Sequence, residues 1–184
     1  MKFKPGQVFE KFKVDGKEVV FRTPKGSDLE GCLKHINSLV REKAYIGMQK
    51  RKTLKEEKEW MKEALKTLKK GSIVHLLVTI DGEVVGSAGL ERSPLDANRH
   101  VAKVGLGLSK GRGLGVGTRV MRTLERIARK HFKSRILQLT CYERNKPAMG
   151  LYKKMGFKKT GVIPKGCNYY GKYMDEVIMV KELK

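Results

Sequence analysis

The segment Leu108 to Thr118 (Leu-Ser-Lys-Gly-Arg-Gly-Leu-Gly-Val-Gly-Thr) joins an apolar, strand-like run to the start of an amphipathic helix. The start of a helix leaves backbone N–H groups without partners and carries partial positive charge. Gly113, Gly115 and Gly117 have no Cβ atoms that would keep a ligand away from those donors. The segment therefore predicts a loop that binds a phosphate or pyrophosphate group.

The glycine spacing excludes two common nucleotide-binding motifs. Neither G-x-G-x-x-G nor G-x-x-x-x-G-K-[ST] is present, because Thr118 and Val116 stand where the first motif needs glycine. The pattern that remains, Arg112-x-x-Gly115-x-Gly117, resembles the R/Q-x-x-G-x-G/A pyrophosphate signature of the GNAT superfamily of acyl-CoA N-acyltransferases. The alternative for this stretch taken alone is a flexible turn that binds nothing.

A second segment, Asn145 to Phe157, resembles the N-x-x-A-x-x-L-Y-x-x-x-G-F motif of the same superfamily. Asn145 is a suitable N-cap, Pro147 falls in the first helical turn, and Gly156 suits a left-handed C-terminal position. The resemblance covers the chain from about Ile73 to Leu183. It implies an α/β fold of the α+β type: a mixed, mostly antiparallel central sheet flanked by helices, with a splayed strand pair at the acyl-CoA site.

The remaining elements follow from hydrophobic periodicity. Strands are predicted at Lys17 to Arg22, Ile73 to Ile80, Val84 to Glu91, Val101 to Leu108, Ile136 to Tyr142 and Met174 to Val180. Asp81-Gly82 suits a type I′ hairpin turn. Two helices are predicted to begin at capping boxes, one formed by Ser27 with Glu30 and one by Thr53 with Glu56.

The resemblance also implies where the cofactor, acetyl-CoA, would bind. In relatives the strand before the glycine loop pairs through its backbone with the pantetheine arm, a role that Gly105 and Gly107 suit; a local bulge is the alternative. The expected cofactor-binding residues are Leu106, Leu108, Arg112, Gly113, Leu114, Gly115, Val116, Gly117, Thr118, Asn145 and Tyr152.

Acyl transfer to an amine needs a neutral amine, stabilisation of an oxyanion and protonation of the leaving thiolate. Tyr152 matches the general acid of the family, and a backbone N–H near Leu108 would polarise the thioester carbonyl. The alternative for Tyr152 is a core tyrosine. Relatives often carry a carboxylate near position 103, where this chain has Lys103, so Glu91 is the candidate base through water, with a surface role as its alternative.

The missing carboxylate favours an acceptor of low pKa. An α-amine has a pKa of about 7.7–8.0 and a lysine side chain about 10.4, so neutralising them at pH 7 costs roughly 1 and 4–5 kcal/mol, respectively. The predicted activity is therefore acetyl transfer to an α-amine of an amino acid, peptide or protein N-terminus, or to another amine of low pKa.

The basic composition suggests a second hypothesis. The chain has 41 Lys and Arg against 19 Asp and Glu, a net charge of +22, which exceeds what one coenzyme needs. This charge disfavours polycationic acceptors. It also raises the alternative of a catalytically weak module that binds ribosomes or nucleic acid with salt-sensitive affinity, while a merely solubilising surface explains the scattered lysines equally well.

The length of 184 residues and 40% hydrophobic content predict one domain over residues 1–184, as a monomer or homodimer. The resemblance implies that this domain is an N-acetyltransferase. No apolar run suggests a membrane span or a signal peptide, so a cytoplasmic location is expected. Cys32, Cys141 and Cys167 are odd in number and widely spaced, which predicts free thiols and no metal site.

Overall fold

The computed structural model describes residues 3–183, which form one eight-stranded sheet with the strand order β1-β2-β3-β4-β5-β6-β8-β7. The strands are β1 (Val8–Val14), β2 (Lys17–Arg22), β3 (Ile73–Ile80), β4 (Glu83–Arg92), β5 (Val101–Leu108), β6 (Ile136–Tyr142), β7 (Lys158–Tyr169) and β8 (Lys172–Glu182). The helices are α1 (Leu29–Arg41), α2 (Leu54–Lys70), α3 (Val116–Ile127) and α4 (Lys146–Lys154). This confirms the predicted fold class.

Helices cover both faces of the sheet. Successive side chains of a strand point to opposite faces, and β3 uses this alternation to build two apolar layers. Leu77 packs with Cys32 of α1 and Met61 of α2. Leu76 and Val78 belong instead to the larger core on the face covered by α3. None of the helices within residues 3–183 is long and apolar enough to cross a bilayer.

Local sequence signals fix several of these elements. Asp81 and Gly82 both have positive φ, +48° and +82°, as the predicted hairpin turn between β3 and β4 requires. Thr53 and Glu56 form the predicted capping box at the start of α2. The side chain of Asn145 accepts a hydrogen bond from the N–H of Ala148, which confirms it as the N-cap of α4.

One expectation is wrong, and two strands of the structure, β1 and β7, are not predicted from the sequence. The Ser27–Glu30 capping box does not form, because a short 3-10 turn, Gly26–Asp28, precedes α1 and Asp28 binds the guanidinium of Arg22 at 2.6 Å. β1 precedes the strand that the sequence predicts as the first. β7 is a twelve-residue edge strand whose register shifts around Pro164, as suits a residue that cannot donate to a ladder.

Strands β5 and β6 form the parallel pair of the sheet, and they separate after a short contact. Their register extends from Val101↔Ile136 to Lys103↔Gln138, three residues on each strand. β5 continues to pair with β4 as far as Leu108. The second half of β5 therefore faces a gap where a neighbouring strand would lie, which confirms the predicted splayed pair.

Candidate active site

The loop between β5 and α3 presents unpaired backbone donors. Gly111, Gly113 and Gly115 have φ values of +74°, +81° and +76°, a region that favours glycine. Gly115 is the N-cap of α3 and makes no side-chain cap. Among the described residues, no acceptor takes a hydrogen bond from the backbone N–H groups between Gly111 and Thr118. A Cβ atom at Gly113 or Gly115 would meet no protein atom within 4 Å, so the donors border an open cradle.

The other predicted loop residues have different surroundings. Arg112 donates from Nε to the carbonyl of Leu108 at 2.7 Å, and its guanidinium pairs with Glu42. A Cβ on Gly117 would lie 3.3 Å from Leu151, so its small size serves the packing of α3 rather than access to a ligand. Leu114 is exposed and Val116 is buried in the core.

The free edge of β5 offers further backbone groups. Ser109 donates its N–H to Val85 of β4 at 2.8 Å. Because backbone groups alternate along an antiparallel strand, the N–H groups of Leu106 and Leu108 point away from β4 and into the gap beside β6. The side chains of these two leucines pack against the α3 core. Leu106 and Leu108 are thus placed to contact a ligand in the gap through their backbones.

A cavity of about 690 Å³ lies on the face of the sheet covered by α1 and α2. Its floor consists of Gly89, Gly105 and Gly107, which carry no side chains that would fill it. Residues of α1, α2, the α1–α2 connection, β6 and α4 form the walls. A volume of this size is typical of sites for small molecules.

Tyr152 reaches this cavity from α4. The residue is 6% exposed, and burial, with a smaller contribution from Cys141, raises its pKa to about 12. Its hydroxyl has no hydrogen-bond partner among residues 3–183. Tyr152 is therefore a protonated donor with a free hydroxyl, and Asn145 at the start of α4 also lines the cavity.

The structure does not bring Glu91 to the cavity. Glu91 is exposed near the end of β4, opposite Lys103 of β5, and it is not a lining residue. The carboxylates that line the cavity are Glu56, Glu57 and Glu176. Sequence reasoning missed the last two because each becomes a cavity residue only through long-range packing, and no local motif marks them.

The three carboxylates have different partners. Glu56 accepts hydrogen bonds from the Lys52 ammonium at 3.0 Å and from the hydroxyl and backbone N–H of Thr53, as part of the capping box. Glu57 is 6% exposed, burial raises its pKa, and within the described chain its carboxylate has no hydrogen bond or ion pair. Glu176 lies opposite Tyr142 in the β6–β8 ladder and is likewise unpaired among these residues.

His35 of α1 adds a neutral acceptor to the cavity wall. Ser109 donates its hydroxyl to the carbonyl of Val85 at 3.1 Å, so it accepts from Nδ1 of His35, 3.0 Å away. Nε2 is then a bare acceptor, and it is buried without a hydrogen-bond partner among the described residues. Burial lowers the pKa of His35 to about 4, which keeps the imidazole uncharged near neutrality.

The tip of the β7–β8 hairpin packs against the α1–α2 connection, which forms one wall of the cavity. Gln49 accepts a hydrogen bond from the N–H of Tyr170 at 2.9 Å and donates to the carbonyl of Asn168. The rings of Tyr45 and Tyr169 stack with centroids 5.0 Å apart, and Tyr142 packs against Tyr45. The wall here is aromatic and is fixed by contacts between distant parts of the chain.

The free edge of β5 thus leads from a cavity that holds a free tyrosine hydroxyl to a glycine loop with unpaired backbone donors. A family model described as the acetyltransferase (GNAT) family matches residues 38–157. The chain belongs to this family. The GNAT protein is accordingly an N-acetyltransferase whose acyl donor is acetyl-CoA. The unpaired donors from Gly111 to Thr118 suit the pyrophosphate of that donor, because the open space beside Gly113 and Gly115 allows close approach.

Curated relatives of this GNAT protein include two named N-acetyltransferases. The chain is 30% identical over 110 residues to L-amino acid N-acetyltransferase AaaT of Escherichia coli (strain K12), and the aligned region covers 59% of this chain and 68% of that protein. It is 29% identical over 126 residues to N-alpha-acetyltransferase of Sulfurisphaera tokodaii, which covers 63% of this chain and 73% of that protein.

A solved structure supports the fold independently. The ribosomal-protein-alanine N-acetyltransferase of Brucella melitensis superimposes with a TM-score of 0.77 at 23% identity, covering 89% of this chain and 99% of that one. At this level of identity the similarity establishes the GNAT architecture.

Proposed function

We propose that the protein acetylates the α-amine of an amino acid, a peptide or a protein N-terminus by direct attack of the amine on the acetyl-CoA thioester. The observation that carries this proposal is that the cavity adjoins both the free edge of β5 and Tyr152. An amine in the cavity can thus approach a thioester held along β5 from the side covered by α1 and α2.

Two groups of the chain support the change in charge during transfer. The N–H groups of Leu106 and Leu108 point into the gap beside β5, where they can stabilise the developing oxyanion. Tyr152 can protonate the leaving thiolate, because burial raises its pKa to about 12 and its hydroxyl is therefore protonated at neutral pH. Acetyl-CoA supplies the activated acyl group.

The position of the carboxylates suggests Glu176 rather than Glu91 as the proton acceptor. Glu176 lies opposite Tyr142 on the β6–β8 side of the cavity, next to the gap between β5 and β6. Glu57 borders the cavity from α2, which packs on β3 at the other side. We assign to Glu176 the removal of a proton from the acceptor ammonium, directly or through one water.

An α-amine suits this site energetically. At neutral pH an α-amine needs roughly 1 kcal/mol to lose its proton, whereas a lysine side chain needs about 4–5 kcal/mol. The two curated relatives are named an L-amino acid N-acetyltransferase and an N-alpha-acetyltransferase, and both names agree with an α-amine acceptor. These observations support an α-amine as the acceptor group.

The decisive experiment is an acceptor panel read by mass spectrometry. It contains L-alanine, alaninamide, a peptide with a free N-terminus, the same peptide with a blocked N-terminus and an internal lysine, and a polyamine. We expect acetylation of α-amines and little transfer to the lysine side chain or the polyamine. Transfer confined to the lysine or the polyamine, or no transfer to any α-amine, would contradict the proposal.

A second, non-exclusive candidate is weak association with polyanions. A surface groove of about 500 Å³ beside α3 and α4 is lined by Arg122, Arg126, Arg129, Lys130, Lys154 and Lys181, together with Glu125. This groove concentrates part of the +22 charge away from the acetyl-transfer cavity. It is the feature that favours salt-sensitive contact with RNA or ribosomes.

A further inference from the structure

The cavity is acidic, although the protein is strongly basic. Its lining carries three carboxylates, from Glu56, Glu57 and Glu176, and among the described lining residues the one Lys or Arg is Lys52. Lys52 is already paired with Glu56 at 3.0 Å. The two lining histidines add no positive charge, since burial lowers the pKa of both His35 and His75. Glu57 and Glu176 form no salt bridge with any residue that the structure describes.

This charge distribution restricts which chemical group can lie next to the amine of an acceptor. A free amino acid has a carboxylate bonded to the carbon that bears the amine, so both groups must enter the site together. A buried carboxylate requires a cation or several donors to offset its loss of hydration. Glu57 and Glu176 would repel it, and Lys52 is engaged elsewhere. At physiological ionic strength, salt weakens the attraction from solvent-exposed basic residues beyond a distance of about 8 Å.

From this arrangement we infer that the acceptor is an α-amine whose neighbouring carbonyl is uncharged, as in a peptide or protein N-terminus or an amino acid amide, and that free amino acids are disfavoured. The inference rests on the proposed α-amine acetylation and specifies the acceptor class. This acceptor class differs from the L-amino acid that the name of the Escherichia coli relative gives.

The polar groups of the cavity match the donors of such an acceptor. Glu176 can accept a hydrogen bond from the ammonium, and the next amide N–H of a peptide can donate to Glu57, which has no hydrogen bond or salt bridge among the described residues. A carboxylate has no proton to offer to either group. An amide thus satisfies acceptors in the cavity that a free amino acid would leave unpaired.

The test uses acetylated products, because they carry no titratable amine and differ only in the group under study. N-acetyl-alaninamide and N-acetyl-alanine are titrated separately into the enzyme saturated with coenzyme A at about pH 8, above the usual titration range of carboxyl groups. We expect the amide to bind at least roughly tenfold more tightly, as like charges within one low-dielectric cavity repel. Glu57→Gln should narrow this ratio severalfold. Glu59→Gln on the exposed side of the same helix should leave it unchanged.

Turnover of alaninamide, measured on the same wild-type preparation, separates the two proposals. Equal or tighter binding of N-acetyl-alanine, with alaninamide still acetylated, overturns the inference and leaves α-amine acetylation standing. A preference for the amide that neither Glu57→Gln nor Glu176→Gln alters also overturns it, because the carboxylates would then not be its cause. Failure to acetylate any α-amine overturns the proposed function, and the inference with it.

Discussion

The substitution Gly115→Ala tests the phosphate cradle with a single methyl group. A Cβ at this position meets no protein atom within 4 Å, so a bound ligand is what it would contact. The chain also offers a matched control. Gly16, in the β1–β2 turn, has the same φ of +76° and the same open surroundings, but it does not belong to the loop before α3.

The expected magnitudes separate strain from ligand contact. Alanine in the left-handed region costs about 1–2 kcal/mol of folding free energy, so Gly115→Ala and Gly16→Ala should lose similar stability. Displacing the pyrophosphate from the loop removes about one charge-assisted hydrogen bond, worth about 1.5–3 kcal/mol. At 1.4 kcal/mol per factor of ten, coenzyme A affinity should fall by about 10- to 100-fold in Gly115→Ala alone.

Calorimetric titration of coenzyme A measures the affinity, and thermal unfolding measures the shared strain. Similar shifts of Tm in both variants, with weaker binding only in Gly115→Ala, would support the cradle. An unchanged Kd in a folded Gly115→Ala protein would refute the assignment of the loop from Arg112 to Thr118 as the pyrophosphate site.

Three further predictions address other parts of the molecule. Tyr152→Phe should lower kcat by ~10²–10⁴-fold while coenzyme A binding stays near normal, and a wild-type kcat would reduce Tyr152 to a packing role. Asp28→Asn should reduce the free energy of unfolding by about 3 kcal/mol near neutral pH, because it leaves the half-buried Arg22 unpaired. Burial is the largest single effect on the pKa of Asp28 and would raise it, but the hydrogen bonds from Arg22 and from the N–H of Lys25, together with the charges of these two residues, outweigh burial and lower the pKa. The stabilisation by Asp28 is therefore complete above the unfolded value of about 3.9 and is lost as pH falls through the lower folded pKa. Urea unfolding should accordingly show the wild-type and variant curves converging in acid, and a constant difference would contradict the linkage. Finally, the binding constant for duplex RNA should fall by roughly 0.9 log units per phosphate contact for each tenfold rise in salt. The Arg122→Ala/Lys130→Ala/Lys154→Ala protein should show a weaker dependence on salt. An identical dependence would mean that the groove only contributes to solubility.

Features that depend on neighbouring residues could be predicted from the sequence. The glycine loop, the Thr53 and Asn145 caps and the Asp81-Gly82 turn each result from backbone preferences within a few residues. The order of strand, glycine loop and helix predicted the splay between β5 and β6 through its resemblance to a known family, and the register of those strands confirms it.

Features that depend on distant residues could not be predicted in this way. Asp28 lies beside Arg22 only because β2 passes the start of α1, and that ion pair replaces the expected Ser27–Glu30 box. Glu57 and Glu176 border one cavity although 119 positions separate them in the sequence. A single sequence gives no measure of such contacts. The sequence alone therefore indicates Glu91, a carboxylate at the end of a predicted strand, as the candidate base.

The short parallel contact between β5 and β6 also couples ligand binding to the stability of the fold. The sheet consists of a five-stranded part, β1 to β5, and a three-stranded part, β6 to β8, whose direct ladder spans three residues on each side. A ligand that bonds to the free edge of β5 and contacts α4 adds a connection between these parts. Saturation with such a ligand at about 100 times its Kd contributes roughly 2.7 kcal/mol to the native state. Amide protons of β6 and β8 would then report cofactor occupancy through slower hydrogen exchange, at positions that the cofactor does not touch.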